Sequence, residues 1–470
     1  MAYQDLRGFI SSLEEEGLLR RVKEQVDWNL EVGAIMQKVF DARGPAILFE
    51  NVKDSPHPLL SGAMCTYRRY ALGVGSEGDL RSILSKALHA IDNPILPVRV
   101  ERGSCQENVL TGKDIDLYRF PTPLWHELDG GRFIGTLGLV VTRDPDTGKR
   151  NVGIYRQQII GKGETGLLAT QQMGTMFQKY RALGEPMPIA TAIGVAPEVL
   201  AAAVFHAPYG QDELAIAGGL CSAPVPLVKC RTVDLEVPAT AEIVLEGIVE
   251  VDASRWKDEG PFGEFPGYYG GVKMPRPVVR LTAVTHRNDP ILQGTLEGMP
   301  PNESSTLRTV GHTVGAWKNL LALGIPGVKE VHVTEMGCAN FQVVVSMDRQ
   351  YYGGNARQVI QGLWATNTNA KWVIVVDDDI DIFDQGQVEW ALSTRVQPHR
   401  DVIITSDSEP GIELDPSIHP SKRAYPVSQS SRIGIDATMQ YKGFEFPPKA
   451  RQNDELMNKV EKKWLGKGLF

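Results

Sequence analysis

The middle of the chain constrains the fold most, because strand-like runs follow one another there with glycine and proline between them. From about Leu110 to Thr295 the runs include RFIGTLGLVVTRD, RNVGIYRQQII, IATAIGV, AEIVLEGIVEV and PVVRLTAVTHR. β-Branched and aromatic residues favour strands, and glycine and proline favour the turns that connect them. This region therefore predicts a sheet-rich barrel or sandwich.

Both flanks have a different pattern, in which helical and strand segments alternate. Apolar residues recur at helical spacing over residues 5–17 and 30–42, and the strand-like run PAILFENV follows. After about Glu303 the helix SSTLRTVGHTVGAWKNLLAL precedes the strands VKEVHVTE, NFQVVVSMD and KWVIVVDDD. The expected parts are an N-terminal α/β domain (1–109), a central β-rich domain (110–302), a C-terminal α/β domain (303–440) and a helical C-terminal tail (441–470).

Composition narrows the function. The 470 residues carry a net charge of -8, and their Lys and Arg residues are scattered rather than clustered, so we expect no nucleic-acid partner. No apolar run is long enough to span a bilayer, and the acidic, amphipathic N-terminus is unlike a signal peptide, so we expect a cytoplasmic protein without a membrane partner. The 5 cysteines lack CxxC spacing, which argues against a disulfide framework and a zinc site.

One short motif, GVGSEG at residues 73–78, matches the GxGxxG pattern of dinucleotide-binding loops. The preceding TYRRYAL does not have the composition of a buried parallel strand, which that fold requires. We therefore interpret the glycines as a turn before the helix DLRSILSKALHAI.

Two acids in the segment WKDEGPFGEFPGYYG raise the question of a site. Glu259 and Glu264 flank a Gly-Pro-Phe-Gly connection, and an exposed, solvating loop would explain them at least as well.

A cation and a set of possible metal ligands are available elsewhere in the chain. Arg156 could hold a carboxylate through two parallel hydrogen bonds, and the oxygens of Asn151 and Glu213 would suit a hard metal ion such as Mn²⁺ or Mg²⁺. In one regular strand Asn151 and Arg156 would point to opposite faces, so a bulge or twist must re-aim one of them.

Five segments follow one another along most of the chain: RNVGIYRQQ, PYGQDE, LVKCRTVDLEVPATAEIVLEG, EGPFGE and SRIGIDAT. Together they resemble the UbiD family of prenylated-FMN-dependent decarboxylases and carboxylases. The resemblance implies a fold of mixed α+β and α/β class: an N-terminal α/β domain, a central split β-barrel that binds the flavin, and a C-terminal α/β oligomerisation domain. It also implies a homodimer or homohexamer, and a flavin prenyltransferase as the supplier of the cofactor.

The same resemblance assigns roles to the arginine and the two acids. Arg156 would orient the substrate carboxylate, Glu259 would hold Arg156, and Glu264 would deliver the proton that replaces carbon dioxide. Such roles require different proton affinities, with Glu259 ionised beside a cation and Glu264 able to hold a proton.

Metal ligands are also implied, with one departure from the family. Asn151 and Glu213 match two ligands of a divalent ion, whereas the third position, normally histidine, is Gln172. An amide oxygen is a weaker ligand than imidazole for transition metals, so this site would prefer a harder ion, bind its ion more loosely, or use Gln172 only as a hydrogen-bond donor to a ligand. A K⁺ ion is expected near Ala202 and Ala203.

The resemblance further indicates which residues bind the cofactor. Arg432 replaces a lysine that the family usually places near the phosphate, which keeps the charge and changes its geometry. The expected cofactor-binding set is Asn151, Ile154, Tyr155, Arg156, Gln171, Gln172, Phe205, Glu213 and Arg432.

The predicted activity is the reversible, non-oxidative decarboxylation of an aromatic or heteroaromatic acid, through a covalent substrate–cofactor adduct and protonation by a glutamate. The alternatives are a decarboxylase of an α,β-unsaturated acid, a flavin or metal oxidoreductase, and a flavin-binding accessory subunit of a carboxylase complex. The oxidoreductase lacks a recognisable hydride-donor site, and the intact Arg156, Glu259 and Glu264 argue against an accessory role. The substrate is not indicated, because variable segments such as EGMPPNES and YKGFEFPP close the pocket.

Overall fold

The computed structural model of the chain describes residues 3–205, 211–366, 369–410, 414–419, 422 and 429–467. Its N-terminal region packs helices around a small mixed sheet. The elements are α1 (Leu6–Glu15), β1 (Leu19–Val22), α2 (Glu31–Asp41), β2 (Ala46–Phe49), β3 (Leu59–Ser61), α3 (Tyr67–Val74), α4 (Leu80–Asp92) and β4 (Val98–Val100). Gly75, with a left-handed φ of 65°, caps α3. Gly73 lies within α3, whereas Gly75 ends that helix shortly before α4 begins, so only the later glycines of GVGSEG form the predicted turn.

The central region is rich in strands, as predicted. Its elements are β5 (Asn108–Thr111), β6 (Leu139–Arg143), β7 (Arg150–Ile154), β8 (Gln157–Gly161), β9 (Glu164–Leu167), α5 (Gln171–Leu183), β10 (Met187–Ile193), α6 (Pro197–Ala202), α7 (Glu213–Cys221), β11 (Pro226–Lys229), β12 (Glu236–Pro238), β13 (Ile243–Val249), β14 (Lys257–Glu259), β15 (Phe262–Gly263), β16 (Tyr269–Gly270), β17 (Met274–Arg276), β18 (Val278–His286) and β19 (Leu292–Gln293). An 8-stranded sheet has the order β7-β6-β10-β13-β18-β9-β8, and β5 pairs with β18.

The two ends of this sheet are neighbours in the chain. β7 forms one end and β8 the other, and only Tyr155 and Arg156 connect them. The sheet must therefore curl until its ends meet, which gives a half-barrel with a seam at these two residues. GKRNVGIYRQQII is thus two strands rather than the single strand that its composition predicts, and the break removes the conflict over where Asn151 and Arg156 point.

The C-terminal region alternates helices and strands. Its elements are α8 (Glu303–Ala322), β20 (Val328–Val333), β21 (Gln342–Met347), α9 (Asn355–Ala365), β22 (Trp372–Asp377), α10 (Gln385–Arg395), α11 (Pro398–Asp401), β23 (Val402–Pro410), β24 (Gln429–Ala437) and α12 (Asp454–Trp464). The 5-stranded sheet has the order β20-β21-β22-β24-β23. None of the residues of α12 is buried, so this helix does not pack on the core of its own chain. Among the described helices, none combines the length and apolar composition needed to cross a bilayer.

Glu303, the first residue of α8, joins the C-terminal region to the N-terminal one. Its two carboxylate oxygens accept hydrogen bonds from the backbone N–H groups of Gly62 and Met64, each at 2.8 Å. Asn302 caps the helix, accepting from the N–H of Ser305 at 2.8 Å. Burial raises the pKa of Glu303 to about 7. The carboxyl group is thus held by backbone donors rather than by a cation.

Two buried histidines lie where the N-terminal and central regions meet. The ring centroids of His57 and His286 are 6.1 Å apart, and Phe120 contacts both rings. Burial, followed for His57 by the charge of Arg119, lowers the pKa of His57 below its usual 6.5. Burial also lowers the pKa of His286, although its ring nitrogen Nδ1 lies 2.7 Å from the carbonyl oxygen of Arg287. Both imidazoles are therefore neutral in the folded protein at neutral pH.

We expect the protein to lose stability as the pH falls below about 6.5, because the unfolded chain binds protons that the buried His57 and His286 resist. The stability that the two neutral histidines contribute is fully present above about pH 6.5, and it is lost as the pH falls through their lowered pKa values. Chemical denaturation at about pH 7.5 and about pH 5.5 measures it. The loss should shrink in the His57→Gln/His286→Gln variant and stay unchanged in His399→Gln, whose side chain is exposed. Equal losses in all three proteins would contradict this assignment.

Candidate active site

Arg156 lies in the seam between β7 and β8, and its side chain is 9% exposed. Its Nε and Nη2 donate to the two carboxylate oxygens of Glu259, at 2.9 and 2.8 Å. Its third nitrogen, Nη1, donates to Oε1 of Glu264. Two carboxylates thus share one buried guanidinium, and the pair with Glu259 has the bidentate geometry typical of strong charge-assisted hydrogen bonds.

The charge of this cluster is set by two opposing effects. Burial acts to lower the pKa of Arg156, but the attraction and hydrogen bonds of Glu264 and Glu259 outweigh it and raise this pKa above its usual value. The arginine is therefore cationic. The sequence predicts different surroundings for the two acids, whereas the structure places both of them beside the same cation.

The connection between the acids, residues 259–264, is called the acid loop below. Gly260 has a left-handed φ of 78°, a conformation that favours glycine. Its N–H donates to Oε1 of Gln158 at 2.7 Å. At the other end, the N–H of Gly263 donates to Oδ1 of Asp129 at 2.8 Å. Partners from distant parts of the chain thus fix the acid loop, so the exposed, solvating loop is the wrong interpretation.

A second cluster of buried polar groups lies where β7, just before the seam, meets the start of α7. Asn151 and Glu213 are only 3% and 5% exposed. Oε2 of Glu213 accepts from the backbone N–H of Val152 at 3.1 Å. Nδ2 of Asn151 has no hydrogen-bond partner among the described residues. The structure therefore brings together two of the three predicted metal ligands.

These side chains fit a cation. Burial raises the pKa of Glu213 to about 8. Arg150, the nearby cation, is engaged by Asp212 and Glu236 at 2.9 and 2.8 Å. A bound divalent ion would supply the counter-charge that Glu213 needs. No three His, Cys, Asp or Glu side chains within the described ranges could hold a metal by themselves, so an ion here would depend on amide and cofactor oxygens as well.

The remaining predicted cofactor residues differ in how well the structure places them. Ile154 ends β7 and is half-buried, Phe205 is buried, and the burial of Tyr155 raises its pKa to about 12. Gln172 is half-buried in the first turn of α5. The side chain of Gln171 lies outside the described part of the structure.

Arg432 lies on β24, where its Nη1 donates to the carbonyl oxygen of Trp364 at 3.2 Å. This contact lies within the C-terminal region. Ala202 and Ala203, the expected K⁺ positions, are buried at the end of α6.

Sequence reasoning missed several residues that build the site. Asp129 and Gln158 hold the acid loop, His126 lies beside it, and Glu297 is buried in the segment expected only to close the pocket. The turn signal DGG at Asp129 and the second Gln of RQQ are the available hints. Neither hint indicates a partner, because the contact between Asp129 and Gly263 joins residues 134 positions apart.

Comparison with known families defines the class of protein. Family models of the 3-octaprenyl-4-hydroxybenzoate carboxy-lyase match the chain in its N-terminal domain (10–87), its Rift-related central domain (97–300) and its C-terminal domain (305–437). The chain is therefore a carboxy-lyase, and it belongs to the UbiD family.

Solved structures of the family extend over nearly the whole chain. HmfF from Pelotomaculum thermopropionicum, a UbiD-class enzyme in complex with FMN, is 35% identical, with 98% of this chain and 100% of that chain covered and a TM-score of 0.84. Vanillic acid decarboxylase from Sedimentibacter hydroxybenzoicus in its closed form is 32% identical, with 99% of this chain and 100% of that chain covered and a TM-score of 0.89. Apo 3,4-dihydroxybenzoic acid decarboxylase (AroY) from Klebsiella pneumoniae is 29% identical, with 97% of this chain and 99% of that chain covered and a TM-score of 0.79.

These findings confirm the predicted family, fold class and carboxy-lyase activity. The domain boundaries and the roles of the site residues stay predictions.

The packing of Glu259 against Gly166 on β9 gives a test of the site geometry. A Cβ atom at Gly166 would lie 2.8 Å from Cγ of Glu259. Gly166→Ala should therefore displace Glu259 from Arg156 and cost about 1–3 kcal/mol by overpacking. Gly163→Ala is the control, because its nearest contact would be an ordinary 3.6 Å. Thermal denaturation should show a lower midpoint for Gly166→Ala alone, and equal midpoints would contradict the close packing.

Proposed function

We propose that this carboxy-lyase catalyses the reversible, non-oxidative decarboxylation of an aromatic or heteroaromatic carboxylic acid, with prenylated FMN as its cofactor. The buried Arg156 with its two glutamates carries the proposal. A planar guanidinium matches the geometry of a carboxylate, and an adjacent acid can protonate carbon. The aromatic-acid decarboxylases among the structural relatives support the same activity.

The cofactor would lie against β7 and the residues around it. HmfF has been solved with FMN and, in an evolved dimeric form, with prenylated FMN. Asn151, Glu213 and Gln172 would hold an Mn²⁺ or Mg²⁺ ion at the cofactor phosphate. Ile154 and Tyr155 would contact the flavin, together with the other residues that the family resemblance names. When bound, prenylated FMN supplies an electron sink for the carbon that loses carbon dioxide.

The contacts of Arg156 support an order of events. Glu259 occupies two of its nitrogens, whereas Glu264 occupies only Nη1. A substrate carboxylate that binds Nη1 would displace Glu264 and leave Glu259 in place. Glu264 would then lack its ion-pair partner in a buried site, which favours its protonated form. In that form it would deliver a proton to the ring carbon after carbon dioxide leaves.

The partners follow from this proposal. They are the aromatic acid substrate and a flavin prenyltransferase that supplies the cofactor. A homo-oligomer is consistent with α12, which exposes apolar side chains such as Leu456 and Met457. The homodimer or homohexamer, the cytoplasmic location and the K⁺ ion stay predictions.

Glu264→Gln should lower product formation by about 100- to 10,000-fold, because the amide keeps the size of the side chain and removes the general acid. The protein, co-expressed with a flavin prenyltransferase, is assayed for carbon dioxide release from a panel of benzoates and furoates and for deuterium exchange at the product ring position. Glu127→Gln, an exposed acid in the same region, is the matched control.

Ring exchange needs the proton donor but no release of carbon dioxide, so it should fall together with turnover in Glu264→Gln. Wild-type exchange in that variant would exclude Glu264 as the donor. If flavin-loaded wild-type protein neither releases carbon dioxide nor exchanges ring hydrogen with any acid of the panel, the proposed function is wrong.

Gln172→His should tighten the binding of Mn²⁺ to the flavin-free protein, because imidazole is a better ligand than an amide oxygen. The expected gain is about 10-fold or more, the scale on which ligand-shell changes act. Isothermal titration calorimetry measures it. Gln178→His, on the same helix α5, is the control for an added surface imidazole. Equal Mn²⁺ affinity in wild type and Gln172→His would show that residue 172 lies away from the ion.

A further inference from the structure

Glu297 is a buried acid that the reaction proposed above does not use. Its side chain is 8% exposed, and its nearest cation, Nη2 of Arg308, lies 4.0 Å away, beyond hydrogen-bond distance. Its Oε2 has no hydrogen-bond partner among the described residues. A buried carboxylate oxygen without a donor is costly, so such an atom is expected to face a ligand that supplies one.

The chain around Glu297 runs along the acid loop. A Cβ atom at Gly267 would lie 2.9 Å from Cβ of Met299, two residues beyond Glu297. The N–H of Gly267 in turn donates to the carbonyl oxygen of Glu264 at 2.9 Å. The turn that carries Glu264 therefore packs directly on the segment that carries Glu297.

The imidazole of His126 lies between the same two segments. A Cβ atom at Gly263 would be 2.5 Å from its Cε1, and one at Gly298 would be 4.0 Å from its Nε2. Burial raises the pKa of Glu297, the charge of Arg308 lowers it, and the charge of Glu264 raises it further. The packing of the two segments, with which this influence agrees, brings Glu297 close to Glu264.

We propose that Oε2 of Glu297 accepts a hydrogen bond from a hydroxyl group on the substrate ring, so that the enzyme selects hydroxylated aromatic acids. This inference rests on the proposed function, in which Arg156 binds the carboxylate at the other end of the substrate. A carboxylate offers only acceptors, so a phenolic O–H satisfies it and a methoxy oxygen does not. Sites built around a hydroxyl group reject analogues that lack it, because the buried partner is then left unpaired.

Equilibrium binding to the flavin-loaded protein tests the proposal without requiring turnover. Calorimetry compares 3- and 4-hydroxybenzoate with the corresponding methoxybenzoates. Wild type should bind at least one hydroxybenzoate about 10- to 100-fold more tightly than its methoxy counterpart, the range for a hydrogen bond to a charged group. Glu297→Leu should lose this preference, and Glu297→Gln, which keeps a carbonyl acceptor, should retain part of it. Asp258→Asn, an exposed acid next to Glu259, should keep all of it.

Each outcome separates the two proposals. An unchanged ratio in Glu297→Leu, with flavin absorbance like that of wild type, would overturn the role of Glu297, since discrimination would then be steric. If the preference depends on Glu297 but no acid is decarboxylated or exchanges hydrogen, the proposed function fails and the recognition role holds. If no aromatic acid binds the flavin-loaded protein at about 1 mM, both are overturned.

Discussion

The guanidinium of Arg156 holds Glu259 by two hydrogen bonds at the point where one end of the central sheet passes directly into the other. Because β7 and β8 are consecutive in the chain, the sheet cannot lie flat, and the two residues between them lie at the seam of the half-barrel. A buried arginine is tolerated there because the acid loop supplies its counter-charges. The placement of the acids therefore depends on the curl of the sheet: the seam positions the cation, and the cation positions the loop.

How much the sequence predicts depends on whether a feature is local. Helix α1 and strands β13 and β18 were predictable, because each buries a periodic or continuous apolar face of its own. The break at Tyr155 and Arg156 was not predictable, because both halves of GKRNVGIYRQQII have strand composition and only the closure of the sheet separates them. The residues Arg156, Glu259 and Glu264 were candidates from the sequence, but only the family resemblance assigned them to one site. Their shared ion pair is a tertiary contact over more than 100 residues, which no local pattern indicates.

The site also depends on how the C-terminal region docks. Glu303 fixes the start of α8 to the backbone of Gly62 and Met64 in the N-terminal region. One turn further along the same helix, Arg308 stacks on the ring of Phe265, directly after Glu264. Residues at the start of α8 therefore form part of the wall beside the acid loop.

Charge balance connects this architecture to the order of events in the site. Arg156, Glu259 and Glu264 together carry one net negative charge when both acids are ionised. An incoming carboxylate would add a second negative charge to a site where Arg156 is less than a tenth exposed, at a considerable electrostatic cost. Protonation of one acid relieves that cost, and Glu264 is the acid held by a single arginine nitrogen. In the proposed reaction, the event that binds the substrate would therefore also load the proton donor, and this would account for two acids on one cation that only Glu259 holds in bidentate fashion.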